Sequence, residues 1–221
     1  MPYQMIGVRS CLIAAVLTAI ASSVVTADER STGDMDRNEM VVLEELNLAR
    51  TNPSQYARHL ADHKRDFKGY YVVVIVGRRI RTTEGIQAVD EAIAFLQTAS
   101  PLPPLSASRS LTLAARDHAN DLGPKGLTGH AGTDGSRFID RINRYGTPRT
   151  AAGECISYGP LDPRALVIRL LVDDGVPGRE HRKDIFNPDY RVAGIAIGRH
   201  RIDEYICVID FADEMQEKPG R

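Results

Sequence analysis

The sequence predicts an α+β sandwich, on three observations. Apolar stripes of helical period recur from residue 42 to residue 122. Two strand patterns, over residues 192–197 and 205–211, stand side by side near the end, joined by a polar loop holding His200. No repeat or low-complexity linker divides the chain. Helices first, then strands adjacent in sequence, favour antiparallel pairing over the strand–helix alternation of a parallel sheet.

The start reads as an export signal. Arg9 is a basic n-region, residues 11–20 an apolar h-region, and Val25-Thr26-Ala27 a small-residue cleavage site. The apolar run is interrupted by Thr18, Ser22 and Ser23 and is shorter than a membrane span requires. The expectation is a signal peptide over residues 1–27, a flexible start over 28–37, one domain over 38–213 and a tail over 214–221. Export places the protein in the secreted or periplasmic space.

In the domain, Asp36 or Asn38 can cap a helix that turns Val42, Leu43, Leu46 and Ala49 inward. Asn52, Pro53 and Gln55 read as the N-cap, first position and capping box of a second helix. Residues 70–83 turn β-branched and aromatic around Gly77, predicting a hairpin, and a helix pattern with Ile86, Val89, Ile93 and Leu96 follows. Residues 70–99 thus form a hairpin-plus-helix insertion. The helix from Ser108 buries Leu111, Ala114, Ala115, His118 and Leu122; a glycine-rich loop over 126–135 leads to a helix with Phe138, Ile139 and Ile142. Residues 154–158 are extended. Asp162-Pro163 opens a helix with Leu166, Val167, Leu170 and Leu171 inward, ending near Asp174-Gly175.

The chain holds 28 Lys and Arg against 29 Asp and Glu, and no Trp. That interspersed balance gives no footprint for nucleic acid or an anionic membrane. No later segment is apolar enough for membrane insertion, and a monomer is expected. After cleavage Cys155 and Cys207 remain; an oxidising compartment permits a disulfide, and two separate buried thiols are the other reading.

Polar and ligating groups gather beside glycines in three segments: residues 129–136, 153–157, and 173–182. Their order, together with Leu46-Asn47-x-Ala49-Arg50 and the closing strands, resembles the CAP superfamily, also called SCP or PR-1-like, across most of residues 38–213. The resemblance implies a three-layer α-β-α sandwich with a small antiparallel sheet. It also implies a shallow cleft lined by His130, Glu154, His181 and a fourth acidic residue. Asp173 stands where that family usually has Glu, with Asp174 beside it; the aromatic residue usual upstream is replaced by Leu170 or Leu171. Glu180 adjoins His181 but faces elsewhere if the chain there is extended.

Two imidazoles can bind a divalent cation such as zinc, with carboxylates orienting their second nitrogens. The expectation is a binding module, with His130 and His181 as metal ligands and a small hydrophobic ligand or an extracellular protein as partner. The alternatives are a metal-assisted hydrolase using Glu154 or Asp173 as catalytic base, or a structural, partner-binding protein. His118 reads as a satisfied core histidine and His200 as a hairpin-loop residue. Ser136 reads as a helix cap and Ser157 as a strand-edge hydroxyl, since neither stands in a nucleophile elbow.

Overall fold

The structure, a computed structural model, describes residues 34–68, 71–75 and 78–218. The expected signal peptide lies outside them. Helix α1 (Arg37–Thr51) starts at Asp36, whose carboxylate accepts from the Glu39 amide while Glu39 reaches back to the Asp36 amide. This capping box satisfies two orphan donors. Helix α2 (Pro53–His63) begins at Asn52 without a side-chain cap bond, so the capping box expected there does not form.

A 3-10 turn leads into a meander of β1 (Phe67–Lys68), β2 (Tyr71–Ile75) and β3 (Arg78–Arg81), all antiparallel, and then α3 (Ile86–Thr98). Strand β4 (Ser106–Ala107) precedes α4 (Arg109–Leu122), whose N-cap is Ser108. After the glycine-rich loop come α5 (Phe138–Tyr145), β5 (Gly146–Pro148), β6 (Ala152–Tyr158), α6 (Pro163–Val172) and α7 (Glu180–Ile185). Strands β7 (Val192–His200), β8 (Glu204–Ala212) and β9 (Met215–Glu217) close the chain. Strand β9 falls within the segment read from sequence as a tail and pairs with β5.

The central sheet runs β4-β7-β8-β6. Its three long strands are antiparallel, as expected, but β4 joins β7 in parallel, so the sheet is mixed. The two-residue β4 was too short to show a period in the sequence.

Side-chain alternation gives the sheet two covered faces. Ile195, Cys207, Ile209 and Phe211 pack in the larger core with α1, α2, α3 and α6, while Ala196, Ile206 and Val208 pack against α4. These are the three layers of the sandwich. Gly194 sets how closely α4 approaches: a Cβ there would collide with the backbone of Leu111 and Thr112.

Cys155 and Cys207 are both free and buried, which corrects the disulfide reading. The register explains this: Cys207 sits opposite Ser157, and Cys155 opposite Ile209. The cysteines are therefore diagonal neighbours on one face, a separation of about 7–8 Å between backbones that exceeds ordinary disulfide reach. Burial pushes both thiols up, away from the reactive thiolate.

Candidate functional site

The Leu46-Asn47-x-Ala49-Arg50 segment serves as a staple. Asn47 donates to the Leu105 carbonyl at 2.9 Å and accepts from its amide at 2.7 Å. The buried Arg50 guanidinium donates to the carbonyls of Pro103, Ile185, Asn187 and Tyr190. One helix end thereby fixes the segment that follows α7, next to the polar loops.

Two imidazole–carboxylate pairs occupy those loops. His130, in the glycine-rich loop, holds Glu154 Oε1 through Nδ1 at 2.8 Å. His181, in the first turn of α7, holds Asp173 Oδ1 through Nδ1 at 2.7 Å, and its amide donates to Asp173 Oδ2 at 2.9 Å. An ionised carboxylate only accepts, so each Nδ1 carries the proton. Each Nε2 is then the lone-pair nitrogen, and neither has a hydrogen-bond partner among the described residues.

Backbone conformation explains the second pair. Asp173 lies at φ 56°, ψ 44°, in the left-handed region, and ends α6 with its amide bonded to the Arg169 carbonyl. Asp tolerates that region better than most side chains. Asp173 is the acid that meets His181; Asp174 instead accepts the Thr83 and Glu84 amides at 2.6 and 2.8 Å. Glu180 is helical rather than extended and pairs with Lys183 on the surface.

The first pair is anchored from below. The side chains of Arg141 and Glu154 are 2% and 1% exposed, and Arg141 donates to Glu154 Oε2 at 2.6 Å. Arg141 also donates to the carbonyls of His130 and Ser136. Asp210 faces Glu154 across the β6–β8 ladder, fully buried, with neither carboxylate oxygen hydrogen-bonded among the described residues. Burial, with the Glu154 charge added, pushes its carboxyl well above the usual range, which holds it protonated. The hydrogen bond to Glu154 raises the pKa of His130, against an opposing desolvation.

Glu154 and Cys155 are consecutive on β6 and so point to opposite faces of the sheet. Glu154 faces His130 and Arg141; the Cys155 sulfur lies 3.8 Å from both the His181 carbonyl oxygen and Asp184 Oδ2. The His181 backbone therefore lies on the side of β6 opposite to Glu154, and β6 is an edge strand. Around that edge, Asp184 contributes its charge at His130 and feels that of His181.

Beside the His181 pair opens a cavity of about 290 Å³ between β6, α6 and the insertion. The insertion is tied to this loop. Arg179 bridges Glu84 and Glu91 and donates to the Asp173 carbonyl at 2.8 Å, and Glu84 accepts the Gly175 amide at 2.7 Å.

A model of the cysteine-rich secretory protein family, CAP, matches residues 43–211. The chain belongs to the CAP family. No curated protein matches it. Among solved structures, an outer surface protein of Borrelia burgdorferi is 21% identical over 53% of this chain and 80% of its own, with a TM-score of 0.43. An extracellular SCP-domain protein of Bacillus anthracis is 21% identical over 58% of this chain and 39% of its own, at 0.42. A cysteine-rich secretory protein of Staphylococcus aureus is 16% identical over 58% of this chain and 38% of its own, at 0.39. This CAP chain thus spans about two fifths of the length of the latter two.

In this CAP domain the remaining sequence candidates are structural. His118 is buried on α4 and its Nε2 meets the Gly129 carbonyl at 2.9 Å, while its Nδ1 has no partner among the described residues, so it is only half satisfied. His200 is buried at the end of β7 rather than free in a loop, with Nε2 on the Leu127 carbonyl and Nδ1 accepting the Asp203 amide. Both pin the start of the glycine-rich loop. Ser157 receives a long 3.4 Å contact from Arg169. Arg141, Asp184 and Asp210 were not singled out from sequence, because each lies inside an ordinary helix or strand pattern.

Among the described residues, no helix is long and apolar enough to cross a membrane.

Proposed function

We propose that this CAP protein is an exported binding module whose cleft takes a divalent cation, such as zinc, on His130 and His181. One observation carries the reading: each imidazole has its Nδ1 committed to a carboxylate and its Nε2 left over. That is the arrangement that fixes tautomer and ring orientation in metal-ligating histidines. Among the described residues no group of three or more His, Cys, Asp or Glu side chains is arranged to hold a metal. The ion would therefore rest on two imidazoles with water completing its coordination, which favours an exchangeable cation over a permanent one. Bound there, it would supply Lewis acidity to whatever ligand it met. The adjoining cavity takes a small hydrophobic ligand.

Hydrolysis is the weaker reading. Both Glu154 oxygens are engaged, by His130 and Arg141, and both Asp173 oxygens by His181. Neither carboxylate keeps an oxygen free of these partners to act as general base.

Calorimetric titration of zinc into metal-free mature protein tests the proposal. Binding near one equivalent, lost in both His130→Ala and His181→Ala, is the expected result; unchanged binding in either variant overturns it. Mass spectrometry of exported protein should find Asp28 at the N-terminus, and a full-length cytosolic product would contradict export.

A further inference from the structure

The cavity beside His181 has an apolar wall that includes Phe67, Ile156, Leu170 and Val172, and it contains a guanidinium with a buried donor that has no partner among the described residues. Arg169, on α6, lines it. Its Nε is buried without a hydrogen-bond partner, and its one hydrogen bond among the described residues is the 3.4 Å contact to Ser157 Oγ. No carboxylate among the described residues forms an ion pair with it.

The acids in the same wall are already taken: Asp173 by His181, and Asp174 by the Thr83 and Glu84 amides. Of the other guanidiniums nearby, Arg81, which also lines the cavity, is exposed, and the rest have carboxylate partners. Arg179 pairs with two glutamates, Arg182 with Glu91, and Arg164 with Glu45. A buried donor left unsatisfied costs about 1–3 kcal/mol, more when charged. The half-buried Arg169 is thus a cation and a directed donor set waiting inside an apolar chamber.

We propose that this cavity is the binding site for a small monocarboxylate with an apolar tail, whose carboxylate seats on Arg169. A carboxylate supplies the two in-plane oxygens that a guanidinium fork matches, and the apolar wall takes the tail. At ~30 Å³ per non-hydrogen atom, taking the share of a water in the liquid, 290 Å³ holds roughly ten such atoms. Octanoate has that size. The site rests on the reading of the cavity as a pocket for a hydrophobic ligand, and it needs no metal.

The test is calorimetric titration of full mature protein with octanoate and, separately, with 1-octanol, which has the same tail and no charge. Wild type should bind octanoate at least tenfold more tightly than octanol. Arg169→Gln should lower octanoate affinity at least tenfold and leave octanol within twofold; Ala165→Phe, which narrows the cavity while keeping the charge, should weaken both. Circular dichroism confirms that each variant is folded, and if Arg169→Gln is not, the wild-type comparison and Ala165→Phe decide. Octanol binding as tightly as octanoate overturns the carboxylate anchor while sparing the apolar pocket. Binding of neither overturns both, and octanoate affinity unchanged in folded Arg169→Gln places the carboxylate elsewhere and overturns the proposal.

Discussion

Arg141→Met is the substitution that most sharply tests the electrostatics beneath the cleft. Arg141 and Glu154 form a pair with side chains 2% and 1% exposed, and Asp210 stands opposite Glu154 in the ladder. Methionine fills much of the arginine volume but leaves the Glu154 carboxylate buried with only His130 for a partner, and it removes a donor from the His130 and Ser136 carbonyls, the latter still bonded by the Gly132 amide. Breaking a buried pair from one side costs about 3–5 kcal/mol. For a domain of this size each kcal/mol moves Tm by roughly 2–4 °C, so the variant should melt about 6–20 °C below wild type. Glu154→Gln should cost less than half as much, because Asp210, relieved of its anionic neighbour, can ionise and become the counter-ion of Arg141. Urea unfolding of both variants with a shared slope measures the two costs. A loss below about 1 kcal/mol for Arg141→Met, or equal losses in the two variants, would refute the account of Glu154 as a charge held down by Arg141 beside a protonated Asp210.

Asn47→Ala removes both bonds to the Leu105 backbone and should cost about 2 kcal/mol by chemical denaturation; a neutral substitution would mean that residues 102–107 hold their course without it. Stability should fall on both sides of about pH 6.5, the ordinary histidine value. Burial lowers the pKa of His118 and of His63, so the folded state is penalised as pH drops below about 6.5. The bond to Glu154 raises that of His130, so its contribution is complete below 6.5 and lost as pH climbs through the raised value. His118→Gln should flatten the acid limb and His130→Ala the alkaline one; unchanged limbs would contradict these assignments. Arg179→Ala, which cuts the ties to Glu84, Glu91 and the Asp173 carbonyl, should speed amide exchange over residues 82–91 while α4 stays protected, and uniform exchange rates across the variant and wild type would oppose that.

Most of the fold could be read from periodicity. The stripes on α1, α3, α4 and α6 point inward as their spacing demands, with the exception of Ile86, which is 39% exposed because α3 begins there and turns Ala88, Val89, Ala92 and Leu96 to the core. What escaped were features with no period. The parallel β4 has two residues, and β9 has three. At the site, His130, Glu154, His181 and Asp173 stood out because ligating residues beside glycines in loops are conspicuous. The choice between Asp173 and Asp174 turned on the left-handed backbone at Asp173, which local sequence does not specify. Arg141, Asp184 and Asp210 depend on contacts over long stretches of chain, and Arg169 gains its meaning only from what is missing around it. The disulfide reading followed from compartment and an even cysteine count; strand register, unreadable from the sequence, separates the thiols.

If His130 and His181 share one ion, each imidazole must offer it Nε2. Nitrogen-15 NMR of histidine-labelled protein during a zinc titration tests this most directly. The Nε2 resonances of His130 and His181 should shift together and saturate near one equivalent, while their Nδ1 signals keep the signature of a protonated nitrogen bonded to carboxylate. Zinc that moves only one of the two, or moves either through Nδ1, would contradict it.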